Sequence, residues 1–416
     1  MEITVYPSQL NGTVRAPGSK SIMQRALAAA LLCKGESALH FPAYSDDCIH
    51  ALQTIKQLGA TTSKKGNTLF VQGGLKQPKG TIDVGESGLG IRLFTPLAAL
   101  CPKPVTLTGQ GSLLLRPMGE FERFFSSLDV VCATHEERLP VRVEGPLHGG
   151  EVHLDGSMSS QFLTGLLTAL PAADGDSIVK VNQLKSIPYV DLTMEVLEEF
   201  GISMRHENYE TFHVPGNQKF LPAELEIEGD WSAAAFLLVA GAVSGGSEFS
   251  VSGLTSRFTQ ADRTVTGALL FAGVKLMNNE GTFNVKSNRL KAFNFDATDC
   301  PDLFPPLAAL GAFCKGTTRI KGVHRLKHKE SDRGMAIQVE FAKAGIQVTF
   351  EEDEMCITGG KVQPATLHSH GDHRMAMAAA ILGLGGAPIK IEGAEAVAKS
   401  YPRFFEDLAS LGADLE

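Results

Sequence analysis

Along the 416-residue chain, one order of apolar and polar positions keeps returning. A helix-like stretch ends at glycine, an apolar strand follows, then a polar turn, and a second strand leads to another glycine. The pattern covers 51–73 and recurs at 193–216, 267–287 and 338–359. It is degenerate over 121–145, where Asp129 takes the glycine position, and truncated at 404–416. The marker residues Gly59, Asp129, Gly201, Gly273, Gly345 and Gly412 are spaced 70, 72, 72, 72 and 67 residues apart. Solenoid repeats run roughly 20–50 residues, so this longer period predicts a small α/β subdomain as the unit. Each unit has room for two β–α pairs and a hairpin, with the helices stopped at glycine. Six units predict two α/β domains of three units each. A single helix–glycine–strand joint would mean little, since α/β proteins abound in them; the regular period carries the reading.

Composition acts by exclusion. Hydrophobic residues make up 43% and charged residues 20% of the chain, as in an ordinary globular protein. The longest apolar run, 233–243, has 11 residues, short of the ~18 that suggest a membrane span. The first residues, Met1–Val5, resemble neither a secretory signal nor a transit peptide. A cytoplasmic protein with no membrane partner is therefore expected. The net charge of −8 argues against a nucleic-acid partner, while a local cluster of Arg and Lys would still take small anions. The seven cysteines never form C-x-x-C and are expected as free thiols.

Candidate chemistry sits at helix starts. Pro17-Gly18-Ser19-Lys20-Ser21, followed by Arg25 and an Ala/Leu run, places hydroxyls, two cations and backbone N–H groups at one helix N-terminus. The Walker A spacing is absent. In Gly85-Glu86-Ser87-Gly88-Leu89-Gly90 the glycines are spaced G-x-x-G-x-G, the reverse of a dinucleotide fingerprint, so backbone approach to an anion is the better reading. Ser157–Gln161 offers hydroxyls and an amide ahead of another apolar helix. Lys327–Arg333 reads locally as a solvated helix start, and Asp302 as a helix cap. His368, His370 and His373 look at first like a metal cluster, but match no ligand spacing. Asp372-His373-Arg374 opening a helix over Met375–Leu382 reads as an anion-binding turn. Together these starts predict helix N-termini facing one cleft with a positive centre.

Nine motifs, in order, resemble one family. They are PGSKSIMQR (17–25), GESGLGIR (85–92), LLRP (114–117), DGSMSSQFLTGLL (155–167), SIPYVDLT (186–193), CPDLFP (300–305), KESDR (329–333), GDHRMAMA (371–378) and AKSYPRFF (398–405). The chain from about residue 10 onward resembles the 5-enolpyruvylshikimate-3-phosphate synthases. The resemblance implies an α/β fold in which two inside-out α/β barrel domains each hold three βαβαββ repeats. It implies a discontinuous domain I (1–13 plus 229–416) bearing the phosphoenolpyruvate side and the acid and base residues. Domain II (14–228) would bear the shikimate 3-phosphate side, with crossings near Thr13–Val14 and Glu228–Asp230 and closure on substrate.

The implied activity is transfer of the enolpyruvyl group of phosphoenolpyruvate to the 5-hydroxyl of shikimate 3-phosphate, on the route to chorismate and aromatic amino acids. No cofactor and no metal are implied, and the protein would be a monomer. By position, Lys20, Ser21, Arg25, Ser159, Ser160, Gln161, Ser186, Asp302 and Lys329 resemble the family's shikimate 3-phosphate ligands, with Tyr189 beside them. Lys20, Gly88, Arg116, Gln161, Arg333, Arg374 and Lys399 resemble its phosphoenolpyruvate ligands. Asp302 resembles the base for the 5-hydroxyl and Glu330 the acid for the methylene carbon, with Lys20 reaching both substrates. The chemistry asks for this set: addition to an enol phosphate needs an acid and a base, and its anionic adduct needs fixed cations.

One departure stands out. The family's Asn-Ala-Gly-Thr turn is Glu86-Ser87-Gly88-Leu89 here, which puts a carboxylate near an anion site unless Glu86 turns away or finds a cation. Arg325 stands where Asn is frequent and could compensate. Gly88 is retained, which predicts inhibition by glyphosate. The related transferase acting on a UDP-amino sugar normally has a reactive Cys in a mobile loop, and 110–116 has none. A small-anion binding protein without activity would not need Asp302, Glu330 and Lys20 together.

Overall fold

A computed structural model describes residues 1–287, 289–327 and 329–416. The chain divides into two compact units. The first holds Met1–Pro17, Gly229–Ser256 and Gln260–Glu416; the second holds Gly18–Glu228 and Arg257–Thr259. The crossing expected at Thr13–Val14 falls inside the strand Leu10–Arg15, which pairs in parallel with Gly245–Ser252 of its own unit. A chain cannot leave a sheet in mid-strand without giving up ladder hydrogen bonds, so the crossing comes after Pro17.

Each unit is an inside-out α/β barrel of three βαβαββ repeats, and each repeat has its own small sheet. In the sheet built from Ile82–Asp83, Val105–Thr108, Arg138–Glu144 and Val131–His135, the first pair is parallel and the other two pairs are antiparallel. The sheets starting at Glu151–Asp155 and Asn294–Asp296 repeat that order. Three sheets take a strand from afar in sequence: the one in which Leu10–Arg15 joins Gly245–Ser252, and two more. Glu224–Glu226 joins Glu36–His40 in the second unit, and Glu2–Val5 joins Ile389–Glu392 in the first.

All six marker positions end helices in the same way. Gly59, Asp129, Gly201, Gly273, Gly345 and Gly412 have φ of 110°, 55°, 77°, 89°, 78° and 99°. In each case the next N–H reaches back to a carbonyl five residues earlier: Ala60 to Ile55, Val130 to Phe125, Ile202 to Leu197, Val274 to Leu269, Ile346 to Phe341 and Ala413 to Leu408. This is the Schellman termination, which needs a left-handed residue. Glycine adopts it without strain and Asp tolerates it, so the degenerate copy still works.

The two helices of a repeat differ in pattern. The first is predominantly apolar and is buried almost completely, as in Gly88–Ala98, Trp231–Ser244 and His373–Gly385. The second is amphipathic, as in Asp46–Gln57 and Arg333–Lys343. Apolar helices therefore fill the middle of each unit. In the second unit Gly88–Ala98 packs on both Lys20–Leu32 and Gln161–Ala169; in the first, Trp231–Ser244, Phe304–Ala312 and His373–Gly385 pack on one another.

The short segment Arg257–Thr259 belongs to the second unit although both its flanks belong to the first. Phe258 is buried in the second unit's core. Glu228 accepts from the N–H groups of Arg257 and Phe258 at 2.7 and 3.2 Å, and Glu195 accepts from Thr259 N and Oγ1 at 2.6 Å each. No helix among the described residues is long and apolar enough to cross a membrane.

Candidate active site

In the second unit, Ser19 caps the helix Lys20–Leu32 by accepting from Ile22 N. Lys20, at the first helical position, turns its ammonium to Asp47, with Nζ–Oδ2 at 2.8 Å. Asp47 stands in the first turn of Asp46–Gln57, where a carboxylate suits the helix dipole. Arg25, one turn along, is 2% exposed. Its donors go to Thr193 Oγ1 (2.9 Å), Ser21 O (3.0 Å), Tyr189 O (3.2 Å) and Thr164 Oγ1 (3.4 Å). Every one of these acceptors is neutral. Burial among them lowers the guanidinium to about 10, and a cation so placed has an unmet demand for negative charge.

Beside it, Ser87 caps the helix Gly88–Ala98 by accepting from Gly90 N at 3.0 Å and donates to Gln24 Oε1 at 3.1 Å. Arg92 donates to Gly88 O (3.2 Å), Gln161 Oε1 (3.0 Å) and Pro117 O (3.4 Å), which ties the starts of two core helices together. Arg116 lies so close over Gly88 that a Cβ there would collide with its Nη1. A side chain at Gly88 would therefore require that guanidinium to move. Ser159 Oγ accepts from Gln161 N at 3.3 Å, Ser160 is buried at the helix start, and Ser186 precedes Ile187–Glu199 in a left-handed conformation, φ 56°. The second unit thus gathers Gly88, Arg116 and Gln161 with Arg92. Lys20, Arg25, Ser159 and Ser186 each lie at or beside a neighbouring helix start.

The first unit gathers charges of both signs. Asp302 lies in the turn Pro301–Leu303 before the helix Phe304–Ala312. It does not cap that helix, contrary to its local reading. Its Oδ1 accepts from Arg333 at 2.8 Å and Lys329 at 3.3 Å, and its Oδ2 accepts from Arg374 at 3.0 Å. Burial would raise this carboxyl, but Arg374, Lys329 and Arg333 outweigh burial and hold it well below the usual carboxylate range. Lys329 is lowered, because burial outweighs the pull of Asp302.

Arg333 is 0% exposed, so the local reading of a solvated charged run fails there. It also donates to Glu330 at 2.7 Å and to Asp372 through Nε at 2.9 Å. Three carboxylates are needed because a guanidinium inside a core must be matched on every edge. Burial works against its charge, and Asp372, Glu330 and Asp302 more than offset it, so its pKa is raised. His328, in the same charged run, lies outside the described residues.

Asp372 caps the helix His373–Gly385 by accepting from Arg374 N at 2.9 Å. Arg374 also donates to Ser232 Oγ at 3.2 Å, and Ser232 donates to Asp262. Asp262 is pushed up to about 6, chiefly by burial and then by the charge of Asp302. Lys399 closes the turn Ala394–Lys399, which packs on the helix His373–Gly385. His368 and His370 meet edge to face, and His370 Nε2 bonds Glu340 at 2.7 Å. These two imidazoles therefore buttress the turn that carries Asp372 and Arg374.

The description "EPSP synthase (3-phosphoshikimate 1-carboxyvinyltransferase)" belongs to the family model that matches residues 5–408. The chain belongs to the EPSP synthase family. A 3-phosphoshikimate 1-carboxyvinyltransferase of Clostridium kluyveri is 37% identical, over 100% of this chain and 98% of that one. One of Methanosarcina acetivorans is 36% identical, over 100% and 99%. Among solved structures, EPSP synthase from Acinetobacter baumannii superposes with a TM-score of 0.84 at 24% identity, covering 100% of this chain and 99% of that one. The enolpyruvyl transferase NikO from Streptomyces tendae gives 0.79 at 18%, covering 100% and 98%. At these identities the superpositions speak for the fold.

Within this EPSP synthase-family chain, four structural partners were not singled out from sequence: Asp47, Arg92, Ser232 and Asp262. Arg92 ends the motif GESGLGIR and Ser232 directly precedes the apolar run 233–243, so position at a helix start is a usable signal for both. Asp47 and Asp262 carry none, since each is defined by a contact across elements.

Proposed function

We propose that the chain performs its family's reaction in the cytoplasm as a monomer. The enolpyruvyl group of phosphoenolpyruvate passes to the 5-hydroxyl of shikimate 3-phosphate through a tetrahedral adduct, and phosphate leaves. Lys20, Ser21, Arg25, Ser159, Ser160, Gln161 and Ser186 of the second unit are assigned to shikimate 3-phosphate, with Asp302 and Lys329 on its hydroxyls. Lys20, Gly88, Arg116, Gln161, Arg333, Arg374 and Lys399 are assigned to phosphoenolpyruvate. The first unit then carries the acid and base, and the second most of the shikimate 3-phosphate ligands.

The observation that carries this reading is Asp302, a carboxylate kept ionised among three cations. An ionised carboxylate takes the 5-hydroxyl proton as the oxygen attacks the central carbon of the enol phosphate. Glu330 delivers a proton to the methylene carbon, the methyl group so formed gives up a proton again as phosphate leaves and the double bond returns, and Arg333, joined to both carboxylates, holds their spacing. Arginine suits the anionic adduct and departing phosphate because its planar fork pairs with two oxygens at once. Arg25, buried among neutral oxygens, supports an anionic ligand in the second unit.

The test is phosphate release from the purified chain with the two substrates together and singly. Release only with both supports the reading. Release when a UDP-amino sugar replaces shikimate 3-phosphate, and not otherwise, overturns the substrate; no release with either acceptor overturns the activity. Glyphosate should inhibit by occupying the phosphoenolpyruvate site beside Gly88, and full activity at roughly millimolar glyphosate would count against that assignment.

A further inference from the structure

Glu86 is the residue that the family pattern left unexplained, and its surroundings give it a job. Its Oε2 accepts from both Ser112 N and Ser112 Oγ, at 3.1 Å each. The carboxylate lies directly on Gly111, where a Cβ would collide with it, and Gly111 has φ 51°. Two further contacts join the same two segments. Gln110 N donates to Gly85 O at 2.8 Å, and Gln110 Nε2 donates to Asp83 Oδ2 at 2.7 Å. Asp83 Oδ1 in turn accepts from Gly85 N at 2.8 Å. The turn 83–88 and the loop 109–116 are therefore sewn together along their length.

The loop ends at Arg116, whose guanidinium lies over Gly88. The short turn Gly111–Leu115 is the lever between them: Ser112 is near its start, buried Leu113 anchors it, and Arg116 N bonds back to Leu113 O at 3.1 Å. We infer that Glu86 is a positioning residue for phosphoenolpyruvate: by holding Ser112 it sets the loop that places Arg116 over Gly88. This rests on the proposed activity and on Arg116 meeting phosphoenolpyruvate. A glutamate reaches one methylene farther than the Asn or Asp that could otherwise stand there. A carboxylate also holds two donors more strongly than a neutral acceptor does. The negative charge of Glu86 is thus turned to the loop.

The test compares Glu86→Ala with Glu86→Gln. Glu86→Gln keeps an acceptor of the same reach, while Glu86→Ala removes it. For Glu86→Ala, KM for phosphoenolpyruvate should rise about tenfold or more, on the scale of a lost charge-assisted hydrogen bond. Shikimate 3-phosphate affinity by calorimetry and the thermal midpoint should stay near wild type. Amide exchange should quicken at 112–116. Glu86→Gln should recover most of the KM. A KM for Glu86→Ala within twofold of wild type, or unchanged exchange at 112–116, overturns the proposal. Equal KM defects in the Ala and Gln variants with exchange at 112–116 unchanged in the Gln variant would also overturn it, since charge at the site and not loop placement would then be responsible. If the wild-type chain releases no phosphate with both substrates, the activity has failed; exchange at 112–116 still decides whether Glu86 holds the loop.

Discussion

Replacing Asp302 by Asn tests the acid–base assignment with little change of shape. The carboxylate meets Arg333 at 2.8 Å, Arg374 at 3.0 Å and Lys329 at 3.3 Å. An amide oxygen can still accept on the Arg333 and Lys329 side, but its NH2 then faces the Arg374 guanidinium, donor against donor. Arg333 keeps Glu330 and Asp372, so the network is wounded and not dismantled. Breaking one partner of a buried ion pair costs roughly 3–5 kcal/mol. With two carboxylates left on Arg333, we expect about 2 kcal/mol, a moderate drop in thermal midpoint with a single cooperative transition. The catalytic loss should be far larger. Without a base for the 5-hydroxyl, turnover should fall by about 10²–10⁴, or roughly 3–5 kcal/mol of barrier. Phosphate release gives the rate, calorimetry with shikimate 3-phosphate gives the affinity, and a melt gives the stability. Turnover within tenfold of wild type in a folded variant would show that Asp302 is not the base. Loss of binding in step with turnover would make it a ligand only.

Other expectations follow from the same geometry. Gly88→Ala puts a methyl against Arg116 Nη1, so the guanidinium must move; kcat/KM for phosphoenolpyruvate should fall between about ten- and a hundredfold with shikimate 3-phosphate affinity kept, and an unchanged value would refute the contact. Asp262, pushed up to about 6 in the fold from about 3.9 unfolded, binds more protons folded than unfolded between those values. The contribution of Asp262 to stability should therefore fall as pH rises from about 4 to 6, by at most about 3 kcal/mol. Melts of wild type and Asp262→Asn should diverge across that window, Asn gaining relatively at higher pH, and a constant difference would refute the shift. Phe258→Ala empties a buried site in the second unit and should cost about 3–5 kcal/mol by chemical denaturation. A change under about 1 kcal/mol would mean that 257–259 merely rests on that core.

What the sequence determined by itself is what is local or periodic. A left-handed residue after a helix is a local demand, so Gly59, Gly201, Gly273, Gly345 and Gly412 announced the repeat, and even Asp129 kept the period. Helix caps are equally local. Ser19, Ser87 and Asp372 do at their helix starts what their residue types suggest. Runs that are apolar all round could only be buried, and they are. Tertiary structure decided what those starts face. Whether Asp302 caps a helix or meets three cations depends on Arg333 and Arg374, which lie 31 and 72 residues away. The charged run before Arg333 looks solvated until Asp372 arrives from 39 residues on. Lys20 meets Asp47, Arg25 meets neutral oxygens of Thr193, Ser21, Tyr189 and Thr164, and Glu86 reaches Ser112; none of these follows from neighbouring residues. Nor does the placing of Phe258 in the second unit's core, against both its flanks. Ionic and hydrogen-bonded partners are chosen by distance in space, and distance in sequence carries no trace of it until the chain has folded.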